Sequence, residues 1–177
     1  GGTAKTVFAS IISRYQDPDG DLGISDEGWE IAAKFLGNAH NIADGEDAVG
    51  SVIDGTYPMD EHWASGVLTE QKDRDYKFQI MTPDIGEPYV VESLAISAGT
   101  KKYDTCVAFL NWLGSSDVQL DWSNNYGTIP CQKEALDQVS DDIKELMETL
   151  KPQDLDWSFI AENVDAWVEK AELEYVQ

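Results

Sequence analysis

The sequence predicts an α/β fold: a mixed sheet of about four or five strands with helices on both faces, followed by a C-terminal helical pack. Two observations carry the expectation. Up to Ile96, short alternating or apolar runs bounded by Gly and Pro alternate with stretches at helical spacing. After Ile96 the apolar stripes lengthen and only the helical period remains. The expected division is an α/β region over residues 1–100 and a helical region over residues 101–177.

Each element has its own signal. Val7, Phe8, Ile11, Ile12 and Tyr15 share one face of a predicted helix from Thr3 to Tyr15. Pro18, Gly20 and Gly23 break the chain into an acidic loop over 16–23. Ser25 caps a second helix, with Asp26 and Glu27 in its first turn and Gly37-Asn38 at its end. Asn41 to Ala43 reads as a short strand, Glu46 to Ile53 as a helix closed by Gly55, and Thr56 to Glu61 as a strand. Trp63 to Gln71 is a predicted helix. Tyr76 to Met81 alternates as a strand does, and Tyr89 to Ile96 is an apolar strand carrying one acid. Helices are expected near 102–114, 116–124, 133–150 and 155–175. The stripe Ile143, Leu146, Met147, Leu150 follows the cap-like Ser140-Asp141-Asp142, and the last helix turns Ile160, Val164, Trp167, Val168 and Ala171 inward.

Composition excludes several classes. The chain has 177 residues with 34 acids against 12 bases, a net charge of −22. Phosphate backbones repel such a surface, so nucleic acid is not an expected partner, and direct docking on an anionic bilayer is disfavoured. The hydrophobic fraction is 42 %, ordinary for a globular protein. No apolar run approaches the roughly 18 residues of a membrane span. The chain begins Gly1-Gly2 without Met, so targeting is not read directly from it. Two cysteines, Cys106 and Cys131, make neither a disulfide framework nor a zinc motif. They read as two buried thiols, with a bridge between them as the alternative. There is no G-x-S-x-G, H-E-x-x-H, P-loop or G-x-G-x-x-G. Neither His40 nor His62 stands with a nucleophile in a recognisable context. No enzyme activity, catalytic residue or cofactor is expected.

The run Pro83-Asp84-Ile85-Gly86-Glu87-Pro88-Tyr89-Val90-Val91-Glu92-Ser93-Leu94-Ala95-Ile96-Ser97-Ala98-Gly99-Thr100-Lys101-Lys102, with Val107-Ala108-Phe109-Leu110-Asn111-Trp112-Leu113 after it, is a turn, a strand, a Gly turn and an amphipathic helix. It resembles the second half of bacterial ABC-transporter solute-binding proteins of the two-lobed type II kind. Four weaker pieces follow in the family's order: Gly1-Gly2-Thr3-Ala4, Val52-Ile53-Asp54-Gly55, Ser115-Ser116-Asp117-Val118-Gln119 and Tyr126-Gly127-Thr128-Ile129-Pro130. Thr56 replaces the family's usual Glu. The resemblance implies one lobe of a type II periplasmic-binding-protein fold, with the helical region packing on it or returning to a first lobe that has no counterpart here. It further implies an extracytoplasmic protein, periplasmic or a cell-surface lipoprotein. Such a protein captures a small-molecule or ion solute in an interlobe cleft and delivers it to ABC permease subunits.

Candidate contacts follow partly from chemistry and partly from the resemblance. Free N–H groups at Gly1, Gly2 and Thr3 suit an anion, against a plain loop-to-helix junction. Asp60, Glu61, His62 and Trp63 combine carboxylates, an imidazole and an indole suited to a cationic amine, against a solvated strand end with Trp63 in the core. Glu92 is a lone acid in an apolar strand; the resemblance puts it near the Asp that holds an amine in polyamine-binding members, with Tyr89 or Trp63 standing in for the missing aromatic. The alternative is an edge residue facing solvent. Thr3, Trp63 and Glu92 are expected on one concave surface. Asp17, Asp19 and Asp21 partly match a calcium loop, with Leu22 where Gly belongs and Gly28 where the bidentate Glu belongs; an acidic surface turn is the simpler reading. The competing function is an acidic cell-surface interaction domain, cation-bound at that turn, without a transport role. If a first lobe is missing, Trp112, Trp122, Trp157 and Trp167 are the indoles expected to show an uncovered surface.

Overall fold

A computed structural model describes residues 2–176. The chain forms two compact units. One takes the residues up to Glu61 together with those from Gln153 on; the other is His62–Pro152. The sequence reading divides the chain at 100/101 instead. The return of the last helix to the first helix is a long-range event that local patterns do not register.

In the first unit α1 (Gly2–Ile12) runs into a 3-10 turn, Ser13–Tyr15. A short strand, β1 (Gln16–Asp21), turns back on itself, with bridges from Gln16 and Asp21 to Ile24. Asp17 N–H donates to the Gly23 carbonyl at 2.9 Å and Ser25 N–H to that of Tyr15 at 2.9 Å. The predicted acidic loop is therefore a tied turn. Gly20 is required there, because a Cβ would lie 2.2 Å from the Ile24 carbonyl oxygen. α2 (Asp26–Gly37) starts on Ser25, whose hydroxyl accepts from Gly28 N–H at 3.3 Å. After α3 (Ala48–Ile53), the unit is completed by α9 (Trp157–Glu174), capped by Asp156. Phe8, Ala9, Ile12, Ile24, Trp29, Ala32, Ile160, Trp167 and Ala171 form one buried cluster. The helical faces read from the sequence thus meet each other rather than a sheet.

The second unit holds α4 (Ala64–Arg74), α5 (Tyr103–Leu113), α6 (Ser116–Tyr126), α7 (Lys133–Leu136) and α8 (Asp141–Thr149). Ala135, Val139, Ile143, Leu146 and Leu150 are buried. The predicted 133–150 helix is interrupted because Ser140 adopts extended φ/ψ of −61° and 160° and starts α8 afresh. Ser123 Oγ donates to the Thr128 carbonyl at 2.6 Å, folding the α6 exit inward. Gly127 ends α6 at φ +68°.

The mixed sheet is the expectation the fold corrects. Among the described residues β1 is the only named strand, and 41–43, 56–61, 76–81 and 89–96 form no ladder. Their backbones are engaged locally. Ala43 N–H donates to Glu46 Oε2 at 3.0 Å and Thr56 N–H to Asp54 Oδ1 at 2.9 Å, while Tyr57 N–H reaches the Ser51 carbonyl at 3.0 Å. Tyr76 N–H and Phe78 N–H donate to Gln71 at the end of α4, at 3.2 and 2.9 Å. Helix ends and turn acids compete here with strand pairing and win, since each offers a partner already in place. Between Tyr89 and Ile96 the chain is exposed at Val90, Val91 and Leu94, with apolar side chains of strand type but no neighbouring strand among the described residues.

Candidate functional site

The candidate residues fall in both units. In the first, Gly1 lies outside the described residues. Gly2 is exposed and Thr3 half-buried at the start of α1, and the first turn of that helix carries no acid. Asp60 and Glu61 end the first stretch of this unit. Burial first, and the Asp60 charge second, hold the Glu61 carboxyl above its ordinary range.

In the second unit His62 and Trp63 stack, with ring centroids 4.4 Å apart at 17°. Gly66, one turn into α4, makes room for both: a Cβ there would lie 2.5 Å from His62 Nε2 and 2.6 Å from Trp63 Nε1. Trp63 is 58 % exposed. The indole is thus a surface platform and not a core residue, which corrects the simpler of the two readings. Glu92 is exposed and Tyr89 half-buried. Thr3 belongs to one unit and Trp63 and Glu92 to the other.

The acid that sequence reasoning missed is Glu87. Gly86 sits at φ +83° and its N–H closes a turn onto the Pro83 carbonyl at 2.9 Å. That turn delivers Glu87 N–H to the Lys151 carbonyl at 2.8 Å, in a parallel bridge with Pro152. Lys151 N–H approaches Glu87 Oε2 at 3.4 Å. Glu87 Oε1 is buried without a hydrogen-bond partner among the described residues. Burial, and after it the Glu87 charge, push the Tyr89 phenol above its ordinary value. An acid between Gly86 and Pro88 was the signal available in the sequence; its burial depends on Lys151, 64 residues away.

The acidic turn behaves as an internal ion pair. Asp19 N–H donates to Asp17 Oδ1 at 3.0 Å, and Asp21 meets Lys170 Nζ at 3.1 Å. Among the described residues no group of three His, Cys, Asp or Glu side chains is placed to hold a metal. The two thiols are free; Cys106 is half-buried but Cys131 is exposed, against the expectation of two buried thiols. Trp112, Trp122 and Trp157 are 55 %, 46 % and 44 % exposed, whereas Trp167 is fully buried. No described helix is long and apolar enough to cross a membrane.

Comparison with known proteins defines the class. Residues 4–151 match the family described as bacterial extracellular solute-binding protein. The chain belongs to that family. A curated relative, the probable ABC transporter periplasmic-binding protein y4fP of Sinorhizobium fredii (strain NBRC 101917 / NGR234), is 33 % identical over 175 residues. The match takes in 99 % of this chain and 48 % of the relative, so the chain spans about half of that relative's length. No solved structure matches.

Proposed function

We propose that this chain is part of the solute-binding component of an ABC importer. It captures a small-molecule or ion solute outside the cytoplasm and passes it to permease subunits in the membrane, with no chemistry of its own. The carrying observation is the family match over residues 4–151, supported by a relative named as a periplasmic-binding protein along 99 % of the chain. In this reading residues 1–100 lie in the second lobe of a two-lobed protein, and a first lobe is the further partner. Exposed Val90, Val91 and Leu94, with Trp112 and Trp122, support that partner, since unpaired strand-type residues and bare indoles favour cover. Lipid anchoring belongs to the same proposal.

The residues proposed as solute contacts are Gly1, Gly2, Thr3, Asp60 and Glu61 in the first unit, and His62, Trp63, Tyr89 and Glu92 in the second. A stacked, half-exposed His62–Trp63 pair offers a flat apolar face at low entropic cost. Glu92, an exposed carboxylate of the same unit, brings charge. Reconstituting the full-length gene product with its permease in vesicles tests the role. Solute-dependent stimulation of ATP hydrolysis is the expected result. A permease that transports and hydrolyses equally well without this protein removes the reading.

A further inference from the structure

Glu87 presents a problem that its surroundings do not solve. Its backbone is fixed on both sides, by the Gly86 turn and by the 2.8 Å bond to the Lys151 carbonyl. Its Oε2 has only the long 3.4 Å approach of Lys151 N–H, and its Oε1 is buried with no donor among the described residues. Pro88 carries no N–H, so the next residue cannot serve. A carboxylate oxygen removed from water and left without a donor is unfavourable unless a donor arrives. Lys151 offers its backbone N–H to this carboxylate, and among the described residues no ion pair joins the Lys151 ammonium to Glu87.

The missing partner is defined by what the carboxylate lacks. It needs a compact group with several N–H donors and a positive charge, which an ammonium supplies. Tyr89 stands two residues on, near enough for the Glu87 charge to act on its phenol, and an aromatic ring beside a carboxylate offers such a cation a face. The terminal torsion of a Glu side chain is broad, so the carboxylate can turn its second oxygen outward, and the long contact to Lys151 is what it gives up. We propose that Glu87, with Tyr89 beside it, is the recognition point for a protonated amine on the solute; this rests on the solute-binding role above and names its ligand chemistry.

The test titrates the 177-residue chain with n-propylammonium, using n-propanol and propionate as neutral and anionic isosteres. The readout is the Tyr89 ring carbon resonance, assigned with Tyr89→Phe. Saturable shifts with the amine only, weakened about tenfold or more in Glu87→Gln and unchanged in Glu148→Gln, are expected. The Tyr89 phenol should also titrate lower in Glu87→Gln, a change that a purely structural role at another site would not give. Circular dichroism checks that Glu87→Gln is folded; if it is not, Glu87→Asp keeps the charge, withdraws it by one methylene and should weaken the amine likewise. Equal amine affinity in the folded Glu87 variant and the parent, equal response to n-propanol, or no saturable response overturns the proposal. Its failure is separable from that of the transport role. A solute without an amine that stabilises the full-length gene product keeps the transport role and discards the Glu87 assignment.

Discussion

Trp167 donates its indole N–H to the main-chain carbonyl of Leu22 at 3.0 Å, across 145 residues of sequence. Leu22 holds the left-handed conformation, φ +51°, that the turn requires. The residue that stands where a calcium loop would carry Gly therefore has a Gly-like backbone, and an indole N–H holds its carbonyl. A second indole does the same one residue earlier: Trp29 Nε1 donates to the Asp21 carbonyl at 3.0 Å. The β1 turn is thus clamped to the helical core by two aromatic donors.

Trp167→Phe keeps the buried ring volume in large part and removes the donor, leaving the Leu22 carbonyl without it. A loss of about 1–3 kcal/mol in unfolding free energy is expected. Trp167→Ala, which opens a cavity in the same cluster, should cost about 3–5 kcal/mol. Urea denaturation of the chain measures both, and an unchanged stability in Trp167→Phe would contradict the clamp.

Leu22→Asn should be neutral or stabilising by up to about 1 kcal/mol, because Asn tolerates the left-handed region better than Leu. Gly127→Ala should do the opposite. It forces Cβ into φ +68° and to 2.8 Å from the Ser65 carbonyl oxygen, at an expected cost of about 1–2 kcal/mol. Thermal unfolding of the two variants reads both signs.

Lys170 bridges Asp21 at 3.1 Å and Glu174 at 2.7 Å and lies 5.1 Å from the Trp29 ring centroid. The hydrogen bond to Glu174 and, less strongly, that to Asp21 raise its pKa. A raised Lys contributes stability that is fully present below its unfolded value, about 10.4, and is lost as pH rises through the folded value. Lys170→Met should lower stability by about 1 kcal/mol at neutral pH, with the difference shrinking in high salt and vanishing at strongly alkaline pH. A salt-independent difference would assign the effect to packing on Trp29 instead.

Glu46 gathers the loop before α3. Its carboxylate accepts from Ala43 N–H at 3.0 Å, from His40 Nε2 at 2.9 Å and from the Tyr57 hydroxyl at 3.2 Å, and His40 stacks on Tyr57 at 5.0 Å. The Ala43 bond leads the cause of its lowered pKa, followed by His40. A depressed carboxyl contributes stability that is present above its unfolded value, about 4.3, and is lost as pH falls through the folded value. Carboxyl carbon NMR should place the Glu46 midpoint below the ordinary glutamate value, and Tyr57→Phe should move it upward. An unmoved midpoint in that variant would remove Tyr57 from the cluster.

The parts of the fold legible in the sequence are those decided within a turn or two of helix. Ser25 as a cap, the Ile143–Leu146 stripe and the Ile160–Trp167–Ala171 face all lie where spacing put them. That the predicted strands would stay unpaired was not legible, because Tyr89–Ile96 shows what a strand wants in its side chains but not whether a partner exists to pair with it. The split at Glu61 and Pro152 depends on α9 meeting α1, a contact of high sequence separation. Of the candidate site, Trp63 and Glu92 could be named as unusual residues. Glu87 could not, since its burial comes from the carbonyl of Lys151 and not from its neighbours in sequence.

Solute binding, the role proposed for the protein of which this chain is part, stabilises the folded state. Thermal unfolding of the full-length gene product against a panel of amines, amino acids, organic anions, sugars and metal ions tests it most directly. A ligand that binds only the folded state raises stability by about 2.7 kcal/mol at one hundred times its dissociation constant. The account predicts a concentration-dependent rise in the unfolding midpoint of several degrees with an amine-bearing member of the panel. A midpoint unmoved by every compound, at concentrations up to the millimolar range, would contradict it.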